Sequence, residues 1–129
     1  AAAGGGSHVI RILLVDDQAL VRAGFRMILD AEPDVDVVGE ASDGREGLKA
    51  LEREIPDLVV LDFIMPGLSG ADVARQIRSR HPQQPILFVS GYSETEAVKR
   101  TAPEAPLLAK PFRADALHKA VRGALTPAG

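Results

Sequence analysis

Short, branched, almost uninterrupted apolar runs alternate along this chain with stretches whose apolar residues recur every three or four positions. Residues 9–15, Val-Ile-Arg-Ile-Leu-Leu-Val, and residues 58–61, Leu-Val-Val-Leu, read as strands buried on both faces. Residues 86–89 and 107–109 are two more such runs, and residues 35–40 alternate as a shorter strand. Between them, residues 18–29 place Val21, Phe25, Ile28 and Leu29 on one face, which predicts a first helix. A second helix opens at Ser42 and Asp43, where Asp43 and Glu46 have capping-box spacing, and closes at Ile55-Pro56. Met65-Pro66-Gly67 is a turn. Ser69 with Asp72 opens a third helix, its Val73 and Ile77 inward and its Arg75, Arg78 and Arg80 toward solvent or the C-terminal dipole. Ser93 with Glu96 caps a short fourth helix, and Leu117, Val121 and Leu125 stripe a fifth.

Five strand-helix units with crossovers too long for hairpins predict an α/β fold, a parallel sheet covered by helices on both faces. Right-handed crossovers then restrict the topology. The expected arrangement is a flavodoxin-like doubly wound sheet of strand order 2-1-3-4-5, which makes strands 1 and 3 neighbours.

The 129 residues, 46% hydrophobic and 26% charged, suit one domain with a proper core. Residues 1–8 resemble a linker or expression remnant, residues 9–125 form the domain, and residues 126–129 are a tail. The formal charge of −3 is spread along the chain, so no basic nucleic-acid footprint and no membrane-binding face are expected. Without cysteine, disulfide and thiol chemistry are excluded. No apolar stretch approaches the ~20 residues that span a bilayer, and a signal-peptide pattern is lacking, so the expected location is cytoplasmic.

The chemistry lies at the strand ends. Asp16 and Asp17 follow the first apolar run and Asp62 follows the third, and in open α/β sheets ligands bind beyond the carboxyl ends of the strands. An aspartate in such a place also serves as a turn or helix cap. Three together are different, because carboxylates a few ångströms apart repel and raise at least one pKa unless a cation holds them. Oxygen-only donors suit a hard divalent ion, Mg²⁺ best of all. Lys110 ends the fifth strand, from which its ammonium would reach the acids and neutralise a phosphoryl oxygen, and a cis bond to Pro111 would aim it. Ser90 ends the fourth strand, where its hydroxyl either bonds a phosphate oxygen or caps the turn before Gly91.

The series Asp16-Asp17, Asp62 followed by Met65-Pro66-Gly67 and Gly70, Ser90, and Lys110-Pro111-Phe112 resembles the receiver domain of two-component response regulators over about residues 9–125. The resemblance implies that Asp62 accepts phosphate from the phosphohistidine of a sensor kinase or phosphotransfer protein in a phosphorelay. It implies that Asp17, Asp62 and the backbone carbonyl of Ile64 bind Mg²⁺, for which Mn²⁺ substitutes, with Asp16 contributing through water. Ser90 and Lys110 would hold the phosphoryl group. Such a domain catalyses its own phosphorylation and dephosphorylation without being a multiple-turnover enzyme. A downstream protein target would then read a switched surface on the fourth helix, fifth strand and fifth helix, and whether that surface also pairs two copies is left open.

One position departs from the family pattern, in which an aromatic residue three before the lysine rotates inward on activation: Leu107 stands there. Phe88-Val89-Ser90-Gly91-Tyr92 instead resembles a receiver subgroup with a Phe-Ala-Thr-Gly-Tyr signature, which also lacks that aromatic. The expected switch residues are therefore Ser90, Gly91, Tyr92 and Leu107. Two rival classes differ in what they require. A haloacid-dehalogenase-like phosphohydrolase needs its nucleophile and acid one residue apart after strand 1, whereas Asp16 and Asp17 are adjacent. An interaction module that is never phosphorylated predicts an idle acidic pocket. The tail after the fifth helix holds no effector domain, which fits a single-domain regulator and a receiver taken from a larger protein equally well.

Overall fold

The computed structural model describes residues 9–91, 95–101, 105–110 and 112–125. Its strands are β1 (Ile10–Val15), β2 (Val35–Ala41), β3 (Leu58–Asp62), β4 (Ile86–Ser90) and β5 (Leu107–Ala109). The helices between and after them are α1 (Ala19–Asp30), α2 (Gly44–Arg53), α3 (Gly70–Arg80), α4 (Thr95–Thr101) and α5 (Ala114–Leu125). All pairings are parallel, in the order β2-β1-β3-β4-β5. The flavodoxin-like expectation is met, with element boundaries within a residue or two of the sequence pattern. The expected Ser93 cap, Tyr92, the Lys110-Pro111 bond and the two terminal segments, 1–8 and 126–129, lie outside the described residues.

The unbroken apolar runs are explained by two cores, one on each face of the sheet. Leu13, Val15, Val59, Leu61, Ile86 and Phe88 point to the face covered by α2, α3 and α4, where Leu51, Val73, Ile77 and Val98 meet them. Their alternating neighbours Ile12, Leu14, Leu58, Val60, Leu87 and Val89 point to the other face, against Phe25 and Leu29 of α1 and Leu117 and Val121 of α5. A strand with period-two side chains can be apolar throughout only if both faces are dry.

Local chemistry sets where the helices begin. Ser69 and Asp72 form a reciprocal capping box at the start of α3, as their spacing predicts. At α2 only half of the box forms: Asp43 accepts from the Glu46 N–H, while the Glu46 carboxylate turns to the N–H and hydroxyl of Ser42. Between β3 and α3 the chain reverses through Gly67, whose φ of +80° suits a residue without Cβ. It then packs Gly70 so tightly against β3 that an added Cβ would lie 2.5 Å from the Asp62 carbonyl oxygen.

Candidate functional site

Because Val15 lies beside Leu61 in the β1–β3 ladder, the residues that end these strands emerge side by side at the carboxyl edge. Asp16 and Asp62 are almost fully buried, with 3% and 5% of their surface exposed, whereas Asp17 is exposed. One carboxylate oxygen from each of the three lies within 4.8 Å of the others. They form one acidic cluster across two strands.

Asp16 is held on several sides. Its N–H donates to the Ala41 carbonyl at 3.0 Å, extending the β1–β2 ladder. Its Oδ1 accepts from the Gln18 N–H at 2.9 Å, and its Oδ2 faces Lys110 Nζ at 3.4 Å. Its own carbonyl accepts from Arg22 Nη1 at 2.5 Å. Lys110 is placed by a bond from its N–H to the Ser90 carbonyl, 2.8 Å, which carries the β4–β5 pairing one step further. The ammonium then stands 3.7 Å from Asp62 Oδ1.

Asp62 is the group whose chemistry this arrangement changes most. Burial raises its pKa, chiefly, and the neighbouring Asp16 and Asp17 add to the effect, while Lys110 and a bond from the Ile64 N–H oppose it; the result is about 7. The repulsion anticipated from the sequence is present but second to desolvation. All three donors are carboxylate oxygens with no sulfur or imidazole among them, a set that matches a hard divalent cation. A dication would also remove the cost of keeping Asp62 ionised, so the residues fit Mg²⁺.

Asp17 and Asp62 open into a cleft walled by Gln18, Ile64, Met65, Pro66, Gly91 and Lys110. Ile64 is half exposed at its rim. Ser90 lies at the end of β4, fully buried, so its successor Gly91 and not Ser90 itself forms the wall. Leu107 is half-buried, beside Phe88 in the β4–β5 ladder, and packs into the core on the α3–α4 face. A larger groove opens at the opposite end of the sheet between the loops at 55–57 and 80–85, but its one carboxylate, Asp57, already accepts from the Arg11 N–H. The acidic cleft is where reactive groups converge.

Sequence reasoning passed over Gln18, Arg22 and Glu40. Gln18 follows the acidic pair directly, and its backbone bond is the ordinary turn in which an aspartate accepts from the residue two ahead. Arg22 and Glu40 are joined by an ion pair of 3.1 Å, which exists only because β2 lies against β1 and α1. No local pattern announces it.

A doubly wound five-stranded sheet with an acidic cluster beyond β1 and β3 and a lysine beyond β5 defines a receiver. Residues 12–122 match the response regulator receiver domain, and the chain belongs to that family. It is 36% identical over 90 residues to the transcriptional regulatory protein LiaR of Bacillus subtilis, covering 70% of this chain and 43% of LiaR. It is 40% identical over 93 residues to protein-glutamate methylesterase/protein-glutamine glutaminase 4 of Geobacter metallireducens, covering 72% of this chain and 26% of that protein. The match thus spans less than half the length of these curated relatives. Among solved structures, the signal receiver domain of the putative response regulator NarL from Mycobacterium tuberculosis superposes with a TM-score of 0.82 at 32% identity, over 92% of this chain and 97% of that one. The receiver domain protein from Clostridium thermocellum gives 0.79 at 27% identity, covering 91% and 94%. Among the described residues no helix is long and apolar enough to cross a membrane.

Proposed function

We propose that this domain accepts a phosphoryl group on Asp62 from the phosphohistidine of a sensor kinase or phosphotransfer protein, in a reaction that depends on Mg²⁺. The observation that carries this reading is the convergence of Asp16, Asp17 and Asp62 within 4.8 Å, with the Lys110 ammonium 3.7 Å from Asp62. A carboxylate oxygen of Asp62 forms the new bond to phosphorus as the phosphorus–nitrogen bond of the donor breaks, and the imidazole nitrogen keeps the electron pair. Phosphoryl transfer has a loose transition state, so positioning and charge neutralisation supply most of the acceleration. Lys110 contributes a point charge beside the incoming oxygens. Asp17, Asp62 and the Ile64 carbonyl, supported by Asp16, would hold Mg²⁺ or Mn²⁺, and the ion when bound supplies further neutralisation of the phosphoryl oxygens.

Phosphorylation adds charge and acceptor oxygens at the mouth of the cleft. With Ser90 fully buried, bringing its hydroxyl to a phosphoryl oxygen moves Gly91, its neighbour on the cleft wall. That motion loads on α4 and β5, where Val98 is the buried residue among the described side chains of the helix and Leu107 is only half-buried. The surface of α4, β5 and α5 is then what a downstream protein, or a second copy, reads. Intact-mass measurement after incubation with a small-molecule phosphodonor and Mg²⁺ tests the chemistry. One added phosphoryl group is expected, lost in Asp62→Asn and on chelation of the cation; full labelling of Asp62→Asn would refute the assignment.

A further inference from the structure

The carboxylate of Asp17 makes no hydrogen bond or ion pair among the described residues. Its direction is therefore set by its backbone, and above all by the peptide joining it to Asp16. The carbonyl of that peptide is gripped by Arg22 Nη1 at 2.5 Å. Arg22 projects from the first turns of α1 and is only 17% exposed, and its Nε is held by Glu40 Oε1 at 3.1 Å from the end of β2. The other Glu40 oxygen takes Arg26 Nη1 at 2.7 Å, so the glutamate is itself clamped from the same helix. The fork of a guanidinium lets one side chain bond a carboxylate and a carbonyl together, which an ammonium does poorly.

We propose that Arg22, clamped by Glu40, is a positioning residue that fixes the Asp16–Asp17 peptide and so aims Asp17 at Asp62 for cation binding. This rests on the reading of the acidic trio as the cation site. Partners that orient metal ligands typically carry about 10–100-fold of metal affinity. The sign of the effect separates positioning from simple charge. Removing a cation near an acidic site strengthens the attraction for a divalent ion by Coulomb's law, whereas releasing Asp17 weakens it.

The test is Mn²⁺ binding followed by electron paramagnetic resonance of the free ion, at fixed pH and ionic strength, without phosphodonor. Arg22→Met is expected to bind Mn²⁺ at least about tenfold more weakly than the parent protein. Arg22→Lys, which keeps the charge and loses the fork, is expected to fall between the two. Arg80→Met, which breaks the surface pair with Glu52 on the far helices, is the control and stays at the parent value. Affinity unchanged or increased in Arg22→Met overturns the proposal. Should that variant fail to fold, Arg22→Lys decides at constant charge, and parent-like binding there overturns it. Absence of Mn²⁺ binding in the parent protein would instead defeat the cation-site reading itself.

Discussion

Asp62 sits where its own charge is least welcome, buried beside two other acids, and its raised pKa of about 7 couples that placement to stability. Between the unfolded value of 3.8 and about 7, the folded protein holds a proton that the unfolded chain has released. Stability from this group is fully present below the lower value and declines as pH rises through the upper one. The open side of the cleft screens part of the effect, so in the absence of divalent cations Asp62→Asn is expected to stabilise the protein at pH 8 by on the order of 2 kcal/mol. At pH 4 the advantage disappears. Urea melts of both proteins across this range provide the check, and a constant difference would mean that Asp62 is not the titrating group. Gly70 is a position where a side chain meets backbone. A Cβ there would stand 2.5 Å from the Asp62 carbonyl oxygen and 2.7 Å from Phe63 Cα, backbone atoms that no rotamer change moves aside. Gly70→Ala is expected to cost about 1–3 kcal/mol and to slow phosphorylation by shifting Asp62, read by denaturation and intact mass on the same sample.

The helices differ in how firmly they are held, and the difference lies near the site. α3 sends Val73, Ala74 and Ile77 into the core, whereas the described side chains of α4 bury Val98 and half-bury Ala97 between the exposed Glu96, Lys99 and Arg100. A segment with few buried apolar contacts opens at low free energy. Amides of residues 95–101 are therefore expected to exchange faster than those of α3, and to slow when a phosphoryl mimic and Mg²⁺ are added. Identical exchange with and without the mimic would remove α4 from the switch. These elements were legible because each carries its own signal: period-two or period-3.6 apolar spacing, Ser69 with Asp72, and Pro66-Gly67 at the turn. Glu46 shows where such signals stop. Its spacing from Asp43 foretells a capping box, yet its carboxylate goes to Ser42, a choice made by the geometry of the β2–α2 corner.

Assembly of the sheet turns scattered residues into a site, and this step too was partly legible. Once four helical crossovers require parallel strands, the order 2-1-3-4-5 places Asp16, Asp17, Asp62 and Lys110 at one edge, so the acids and the lysine followed from topology and strand ends. Arg22 and Glu40 did not, because neither ends an apolar run at the cleft and their meeting depends on the β1–β2 pairing, which shifts register between Ile12 and Leu13. The proposed cation site would link cation binding to global stability, since the unfolded chain has no trio to offer. With Mg²⁺ at about a hundred times its dissociation constant, folding gains about 2.7 kcal/mol, a rise in melting temperature on the order of 10 °C for a domain of this size. The gain must shrink on acidification, because below about 7 a proton competes for Asp62. Thermal melts with and without Mg²⁺ at pH 8 and pH 5.5, repeated on Asp17→Asn, therefore report on the whole linkage. A large upward shift at pH 8, a small one at pH 5.5 and little at either pH in the variant are expected. A shift that ignored both the proton and Asp17 would place the ion elsewhere on the molecule.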